Sequence, residues 1–256
     1  MTRDRYGDVS VVVGDDFVAE VEIHRPPNNF FDVELIRSLS DAYDDLDADD
    51  GCRAIVLCAE GKHFCAGADF GGNRLGGSTN QLYQEAVRLF SKAKPWVAAV
   101  HGAAIGGGLG LACAADFRVG CPESRWSANF ARLGFHHGFG LTVTLPAIVG
   151  QQHTLDLMYT GRRIGGEEAA AMGLCDRLVE AADVRAEARR LAASIAESGP
   201  LAITSIRATM RGYLPDAIRR ATDREAEEQN RLQGTEDFAE GIRATADRRT
   251  PEFKGR

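Results

Sequence analysis

A glycine cluster between an apolar strand and a helix limits what this chain can fold into more than any other feature. It lies in the stretch Pro95–Asp116, which opens with Trp96–Val100, an apolar run as long as one buried strand. The cluster, Gly106–Gly110, is followed by an Ala- and Leu-rich segment typical of a helix start. A strand, a glycine turn and a helix N-terminus point backbone N–H groups outward with little side chain over them. The sequence therefore predicts a turn that binds negative charge, either a phosphate or an oxyanion developing on a carbonyl.

Two other interpretations of this stretch fit its residues poorly. A membrane helix is conceivable, because the stretch is almost uncharged over about 20 residues. It is built of Ala and Gly rather than Leu, Ile and Phe, however, and it carries His101. A dinucleotide-binding turn needs G-x-G-x-x-G or G-x-G-x-x-A. The sixth position is Leu111 when counted from Gly106 and Cys113 when counted from Gly108, so that pattern fails in both registers.

Composition narrows the class of protein. A chain of 256 residues with 44% hydrophobic and 26% charged residues is expected to form one large domain, or a domain with a helical extension. A net charge of −7 without a basic stripe argues against a nucleic-acid partner. The first ten residues lack the apolar core of a signal peptide, so we expect a cytoplasmic protein. The six cysteines form no C-x-x-C pair, which favours buried, reduced thiols over a zinc site or a nucleophile at Cys65.

Strands that alternate with helices predict an α/β fold. Val9–Val13 and Val18–Ile23 are typical of a hairpin, and Asp32 suits the N-cap of the helix that follows. Further strands are predicted at Arg53–Ala59 and Phe117–Gly120. The acidic run Asp41–Asp50 is interpreted as a solvated helix end rather than a metal site. From about residue 140 the pattern is helical, and segments 200–212, 215–232 and 235–247 predict a helical extension or an oligomer contact.

Four motifs in a fixed order carry a resemblance to a known family. They are RPPNNFFD at Arg25–Asp32, FCAGAD at Phe64–Asp69, AAIGGGLGLA at Ala103–Ala112 and EGIRATADRRTPEFKG at Glu240–Gly255. Together they resemble the crotonase superfamily, which includes enoyl-CoA hydratases and isomerases. The resemblance implies an α/β fold, with a crotonase-type spiral of β-β-α units over residues 1–195 and a C-terminal helical trimerisation region over 196–256. It also implies a homotrimer or a dimer of trimers, an acyl-CoA substrate and no permanently bound cofactor, metal or membrane partner.

The resemblance also implies roles for particular residues. The backbone N–H groups of Ala68 and Gly107 would form an oxyanion hole for a thioester, where losing one donor typically costs about 3 kcal/mol. Ala66 and Gly67 are small enough to let a planar thioester lie against the backbone. Positions that line the CoA channel, or that meet the CoA of a neighbouring subunit, fall on Phe30, Ala66, Asp69, Phe70, Phe253 and Lys254. Arg25 and Lys62 are candidate phosphate partners, although each could equally be ordinary surface charge.

The sequence departs from the family at its acid and base. Hydratases of the family use two glutamates, one three residues after the middle glycine of the triplet and one four residues before the glycine of an E-x-x-L-G segment. These positions hold Gly110 and Phe130 here. The aspartate that some branches use eight residues after the second glutamate falls on Gly138. Because each positioned acid or base contributes about 10²–10⁴-fold, the sequence predicts a poor conventional hydratase whose pocket includes Gly110, Phe130 and Gly138.

Few other groups could transfer a proton. His136 and His137 follow the Phe130 segment, and an imidazole there could act as acid or base near neutral pH. His63 and His101 flank the two oxyanion motifs and are interpreted as scaffold. A serine hydrolase is disfavoured because G-x-S-x-G is absent. Two hypotheses stay open: an acyl-CoA hydrolase, isomerase or lyase, and a non-catalytic acyl-CoA-binding protein. Glu85 and Glu123 are more remote candidates, and Phe30, Phe31, Phe130, Phe135 and Phe139 suggest an apolar acyl pocket.

Overall fold

A seven-stranded sheet organises the part of the chain that the computed structural model describes, residues 2–69 and 76–256. Its strand order is β1-β2-β3-β4-β5-β7-β10, and a three-stranded sheet of order β6-β8-β9 lies beside it. Strands β1 to β3 pair antiparallel, and the pairs from β3 to β10 are parallel. The strands are β1 (Arg5–Tyr6), β2 (Val9–Val13), β3 (Val18–Ile23), β4 (Ala54–Ala59), β5 (Trp96–Val100), β6 (Ala103–Ile105), β7 (Phe117–Gly120), β8 (Arg125–Ser127), β9 (Ile164–Gly165) and β10 (Arg177–Leu178).

Helices cover both faces of the large sheet. The predicted N-cap is confirmed, since Asp32 accepts a hydrogen bond from the N–H of Leu35 at 2.8 Å. Short 3₁₀ turns occupy Asn129–Leu133 and Ala181–Asp183. The helices are α1 (Val33–Asp47), α2 (Thr79–Phe90), α3 (Gly107–Ala114), α4 (Leu141–Thr160), α5 (Gly166–Ala171), α6 (Val184–Ala196), α7 (Pro200–Arg211), α8 (Leu214–Leu232) and α9 (Glu236–Ala246).

The central strands are buried on both faces, which is why they are continuous apolar runs. On β4, Ile55 and Leu57 face the larger core, whereas Val56 and Cys58 face a smaller core. Helix α6 closes the smaller core with residues such as Val184 and Ala188. The strands predicted at Val9–Val13, Val18–Ile23, Trp96–Val100 and Phe117–Gly120 are confirmed, and the strand predicted at Arg53–Ala59 begins one residue later.

The acidic end of α1 docks a neighbouring helix as well as facing solvent. Asp44 forms ion pairs with Arg88 and Lys92. Asp47 accepts hydrogen bonds from the N–H groups of Ala93 and Lys94, at 2.8 and 3.0 Å. The prediction of a solvated helix end was therefore incomplete, because these carboxylates hold the end of α2 against α1.

The C-terminal helices differ in how much of their surface they bury. Helix α8 packs against α2 and α4, and α9 packs against the 3₁₀ turn at Asn129–Leu133. Helix α7 buries none of its residues, and its apolar side chains Leu201, Ile206 and Met210 are exposed by 86%, 58% and 68%. In the described part of the chain, no helix combines the length and the apolar character that crossing a membrane requires.

Candidate active site

A cavity of about 500 Å³ opens between the glycine turn and the C-terminal helices. Segments 66–68 and 105–107 form one wall, and residues of the loop 128–139 form another. Helix α2 contributes Leu82 and Tyr83. The helical C-terminal region also helps to shape the cavity, through residues of α8, of α9 and of the position after α8. These residues are Gln229, Gln233, Ile242, Thr245 and Ala246.

The turn after β4 is joined by hydrogen bonds to β6 and to the segment before α1. The N–H of Cys65 donates to the carbonyl of Ala103 at 2.9 Å, and the N–H of Ile105 donates to the carbonyl of Cys65 at 3.1 Å. The N–H of Phe31 donates to the carbonyl of Gly67 at 3.0 Å. These bonds place Ala68 and Gly107 on the same cavity wall.

The backbone N–H groups of Ala68 and Gly107 are unused within the described residues. Neither donates a hydrogen bond to another described group. Gly107 is the first residue of α3, where helix geometry offers no partner to the N–H. Two such donors, one of them at the N-terminus of a helix, can stabilise negative charge on an oxygen placed between them.

Close contact between the two segments explains their small residues. Gly67 has φ +89°, and a Cβ on it would lie 2.8 Å from the carbonyl oxygen of Ile105. A Cβ on Gly108 would overlap the carbonyl oxygen of Cys65. Gly106, which precedes α3, has φ +57°. A larger residue at Gly67 or Gly108 would push the two segments apart and misplace the N–H groups.

Gly110 lies behind the cavity wall rather than on it. It is buried in α3, and a Cβ on it would lie 2.7 Å from Cβ of Phe139. Phe139 lines the cavity in its place, with φ +61° and its ring centroid 5.5 Å from that of Phe31. The space that a glutamate at 110 would need is therefore already filled by an aromatic ring.

Phe130 does line the cavity, in the position predicted to lack a glutamate. Its ring is buried and lies 5.6 Å from the ring of Phe135. Leu133 completes this apolar surface. Among the described residues, no aspartate or glutamate lines the cavity.

Gly138 lies on the cavity wall beside Tyr83, a residue that the sequence analysis did not single out. A Cβ on Gly138 would overlap Oη of Tyr83 and lie 2.6 Å from Nε2 of Gln229. Burial raises the pKa of Tyr83 well above 10, and the negative charge of Glu225 adds to that shift. Tyr83 is therefore a neutral phenol at physiological pH, and its hydroxyl occupies the space that a side chain at 138 would take.

His136 and His137 do not line the cavity. The two rings stack on each other, and His137 makes a 2.8 Å hydrogen bond through Nε2 with Oγ1 of Thr142. Thr142 in turn donates to Glu225, a buried carboxylate that also accepts from the N–H of Gly140. Burial and the neighbouring imidazole of His136 lower the pKa of His137 to about 4. In this structure the histidine pair stabilises the loop that carries Phe130, Phe135 and Phe139, which together form an aromatic wall of the cavity.

His63 is the imidazole that lines the cavity in the described part of the chain. Its Nδ1 accepts a hydrogen bond from the N–H of Ala103 at 3.3 Å. Burial lowers the pKa of His63, and the charges of Lys62, His101 and Arg163 lower it further. His101 is held by the carbonyl of Gly61 and does not line the cavity. These contacts agree with a scaffold role for both histidines.

The predicted CoA contacts are distributed over three places. Phe30, Ala66 and Gly67 line the cavity. Asp69 follows Ala68 directly, and Phe70 lies outside the described residues. Phe253 and Lys254 belong to the C-terminal tail, where the N–H of Lys254 donates to Asp237 at 2.6 Å, and neither lines the cavity of its own chain.

Positive charge at the cavity comes from Lys62, as the sequence suggested, and from two arginines that it did not, but not from Arg25. Arg25 is paired with Asp8 and Asp32 at 2.7 and 2.8 Å, so its charge is already balanced. Arg125 and Arg163 line the cavity, and Lys62 lies exposed near its edge. Within residues 2–69 and 76–256, none of these three cations has a carboxylate partner. An unbalanced positive rim on a protein of net charge −7 favours an anionic ligand.

The remaining candidates lie away from the cavity. Glu85 pairs with Arg37 and Arg88, at 3.0 and 3.3 Å, and Glu123 is exposed on a turn. Cys65 is fully buried, which raises the pKa of its thiol to about 12 and makes it a poor nucleophile. All six cysteines are buried and unpaired.

One group of possible metal ligands occurs among the described residues, at Glu20, Glu22 and Cys58. The guanidinium of Arg185 lies 2.8 and 2.7 Å from the two carboxylates and 3.0 Å from Sγ of Cys58. The arginine thus takes the position that a cation would occupy.

Comparison with known proteins agrees with the fold. A structure of an enoyl-CoA hydratase/isomerase from Pseudoalteromonas atlantica is similar with a TM-score of 0.87 at 27% identity, over 96% of this chain and 100% of that one. The architecture is therefore a crotonase fold. The model of the enoyl-CoA hydratase/isomerase family matches residues 14–256. The chain belongs to this family, within the crotonase superfamily.

Two curated relatives span nearly the same length. A Bacillus subtilis protein described as a probable enoyl-CoA hydratase is 34% identical over 249 residues, covering 94% of this chain and 96% of the relative. A carnitinyl-CoA dehydratase from Proteus mirabilis is 30% identical over 257 residues, covering 93% of this chain and 95% of the relative.

Proposed function

We propose that this protein is an acyl-CoA-processing enzyme that holds the thioester oxygen of its substrate between the N–H groups of Ala68 and Gly107. The observation that carries this proposal is the pair of unused N–H groups on one wall of a cavity of about 500 Å³. Two donors aimed at that oxygen stabilise an enolate or a tetrahedral intermediate more than the ground-state carbonyl. No permanently bound cofactor is needed for this chemistry.

The acid–base chemistry differs from that of a conventional hydratase. Water addition needs a base to deprotonate water and an acid to protonate the α-carbon. Phe139 fills the space beside Gly110, Phe130 is apolar, and no carboxylate lines the cavity within the described residues. We therefore propose a lyase or isomerase of the family whose ordinary hydratase activity is weak.

The cationic rim accounts for the CoA part of the ligand. Arg125, Arg163 and Lys62 carry charge that no described carboxylate balances. Phosphate groups of CoA would supply that balance at the mouth, while the acyl chain lies against Phe130, Phe135 and Leu133. The apolar lining favours a fatty or other acyl chain over a charged one.

We also propose that the protein acts as a homotrimer or a dimer of trimers. Helix α7 exposes Leu201, Ile206 and Met210, and Tyr213 beyond it is exposed by 56%. Ile206 and Met210 are four residues apart and share one face of α7, and exposed apolar side chains that share a face mark protein contact surfaces. In such an assembly the tail residues Phe253 and Lys254 would meet the CoA of a neighbouring subunit.

A second candidate is an acyl-CoA-binding protein with little or no catalysis, or a thioester hydrolase that uses ordered water. The cavity surface supports it, because His63 spends Nδ1 on Ala103 and His136 and His137 lie outside the cavity. A site with an oxyanion hole but without a base binds thioesters more readily than it transforms them.

The test is a panel of saturated and 2-enoyl-CoAs, with water addition and free thiol release followed separately. We expect tight binding and hydration well below that of ordinary family hydratases. Full hydratase turnover would contradict the roles given to Gly110 and Phe130. Binding without turnover, unchanged in a His136→Ala/His137→Ala variant, would favour the binding protein.

The oxyanion hole is tested at one of its donors. Ala68→Pro removes the N–H, and we expect turnover, or affinity for an enolate-like analogue, to fall about 10²–10³-fold. Ala68→Ser is the matched control because it keeps the N–H at the same position. Equal losses in the two variants would mean that the N–H of Ala68 is not the group that matters.

A further inference from the structure

The aromatic wall of the cavity contains a buried hydroxyl that the oxyanion hole does not use. Tyr83 on α2 is only 5% exposed, and it lines the cavity on the side of Gly138 and Phe139. Its surroundings are largely apolar, since Phe130, Phe135 and Leu133 line the same space. A phenol beside these side chains is a specific polar group in the apolar part of the cavity.

The hydroxyl of Tyr83 has no acceptor for its proton among the described residues. The side-chain amide of Gln229 lies beside it, since a Cβ on Gly138 would meet both Oη of Tyr83 and Nε2 of Gln229. That nitrogen is a donor and is held by the carbonyl of His136 at 2.9 Å, so it cannot take the proton. The Tyr83 O–H is therefore left to donate to a ligand in the cavity.

Glu225 is the nearby carboxylate that could otherwise take the proton, and it is already occupied. Its Oε1 accepts from the N–H and Oγ1 of Thr142, at 3.2 and 2.6 Å. Its Oε2 accepts from the N–H of Gly140 at 2.9 Å. Glu225 therefore acts on Tyr83 through its charge, which disfavours the phenolate and keeps the phenol as a donor.

We infer that Tyr83 selects acyl thioesters whose acyl group carries an acceptor oxygen, a hydroxyl or keto group, that takes the Tyr83 O–H proton. This inference rests on the proposed binding of CoA thioesters in this cavity. A plain hydrocarbon chain would bury the O–H without a partner, whereas an oxygen opposite it would complete the hydrogen bond. A site built this way rejects the analogue that lacks the oxygen, because its own polar group is then left unpaired.

The position of Tyr83 supports a role in recognising the acyl group. Its hydroxyl occupies the space into which a side chain at Gly138 would extend. A polar group therefore enters the acyl region from α2 instead of from the loop. The ring of Phe31 lies against Gly107, whereas Tyr83 lies against Gly138, so we take the selected oxygen to be a second one, distinct from the thioester oxygen.

The experiment measures affinities of the full-length protein by calorimetry. The ligands are butyryl-CoA and hexanoyl-CoA, compared with 3-oxobutyryl-, 3-hydroxybutyryl-, 4-hydroxybutyryl- and 5-hydroxyhexanoyl-CoA. We expect at least one oxygenated ligand to bind at least about tenfold more tightly than its saturated counterpart, as an unpaired buried donor corresponds to roughly 5- to 150-fold. In Tyr83→Phe this ratio should fall to about one, with butyryl-CoA bound at least as tightly as before, because no hydroxyl is then left unpaired.

Tyr159→Phe is the matched control, because Tyr159 is 75% exposed on α4. It should leave every ratio unchanged. If saturated thioesters bind but the wild-type protein shows no preference, or if Tyr83→Phe keeps the preference, the inference is wrong and the proposed function stands. If neither CoA nor any thioester binds, the proposed function fails and the inference fails with it. A Tyr83→Phe variant that does not fold leaves the wild-type ratios to decide.

Discussion

The two walls of the cavity are built on opposite principles. On the glycine wall, Gly67 and Gly108 let two chain segments touch, and the chemistry comes from backbone N–H groups. On the aromatic wall, Phe130, Phe139 and Tyr83 fill the space, and the chemistry depends on side chains. Backbone donors persist through most substitutions, provided that the close approach survives. Side-chain acids and bases change with one residue, so the proposed thioester site can be kept while the reaction changes.

The largest effect is expected where the glycine wall is tightest. Gly67→Ala combines a φ of +89° with a Cβ 2.8 Å from the carbonyl oxygen of Ile105. We expect the free energy of unfolding to fall by about 3–5 kcal/mol, because the backbone cost of 1–3 kcal/mol is joined by a clash with rigid backbone. Binding of CoA thioesters should be lost with it. Urea unfolding and calorimetry measure the two effects.

Gly150→Ala is the matched control for the backbone cost. Gly150 has φ +77° and nothing within 4 Å of the added Cβ. This variant should lose only the stability that corresponds to the backbone cost, and it should bind CoA thioesters as tightly as the wild type. If the two variants are equally unstable, close approach at Gly67 contributes nothing, and the contrast between the walls fails at its first point.

The second effect tests whether the histidines behind the aromatic wall are structural. The pKa of His137 is lowered to about 4, so its neutral form is favoured in the folded state. Above pH 6.5 the imidazole is neutral in both states, and its contribution to stability is complete. As the pH falls from 6.5 through about 4, the unfolded state is protonated first, and this contribution is lost. The full shift corresponds to up to about 3 kcal/mol.

His137→Asn should lose less stability than the wild-type protein between pH 7 and pH 4. The measurement is urea unfolding at both pH values. Glu225, whose pKa burial raises, acts in the opposite direction but is present in both proteins. His153→Asn, on the exposed side of α4, should behave as the wild type does. An unchanged pH dependence in His137→Asn would show that the imidazole is not held neutral by the wall.

The third effect concerns the missing glutamates. Gly110→Glu should destabilise the protein by about 1–3 kcal/mol, because the Cβ of the new side chain would lie 2.7 Å from the Cβ of Phe139. The double variant Gly110→Glu/Phe130→Glu should therefore gain little hydratase activity. Adding Phe139→Gly removes the contacting Cβ together with the ring, at a position whose φ of +61° suits glycine, and we expect hydration of 2-enoyl-CoA to rise by at least about 10²-fold over the double variant. Hydration restored by the double variant alone would show that Phe139 is no obstacle.

These contacts also show which features of the site could not be predicted from the sequence. The glycine turn, the main strands and the absence of carboxylates at 110 and 130 could all be read locally, because each depends on residues close together in the chain. The small sheet β6-β8-β9 could not, since its strands are two or three residues long and gain their stability from pairing across the chain. The same holds for Tyr83 opposite Gly138, Phe139 over Gly110 and Arg25 paired with two aspartates, which only tertiary packing brings together.

The smallest effect is expected for two carboxylates that belong to neither wall. Glu85 is bound to two arginines, and Glu123 is exposed. Glu85→Gln and Glu123→Gln should each change the free energy of unfolding by no more than about 0.5 kcal/mol. Turnover of the most reactive CoA thioester should stay within about twofold, as neither group can reach a substrate on the glycine wall. A large loss of turnover without loss of stability in either variant would place an acid at the site after all. The reaction would then depend on a carboxylate that reaches the cavity only when substrate is bound.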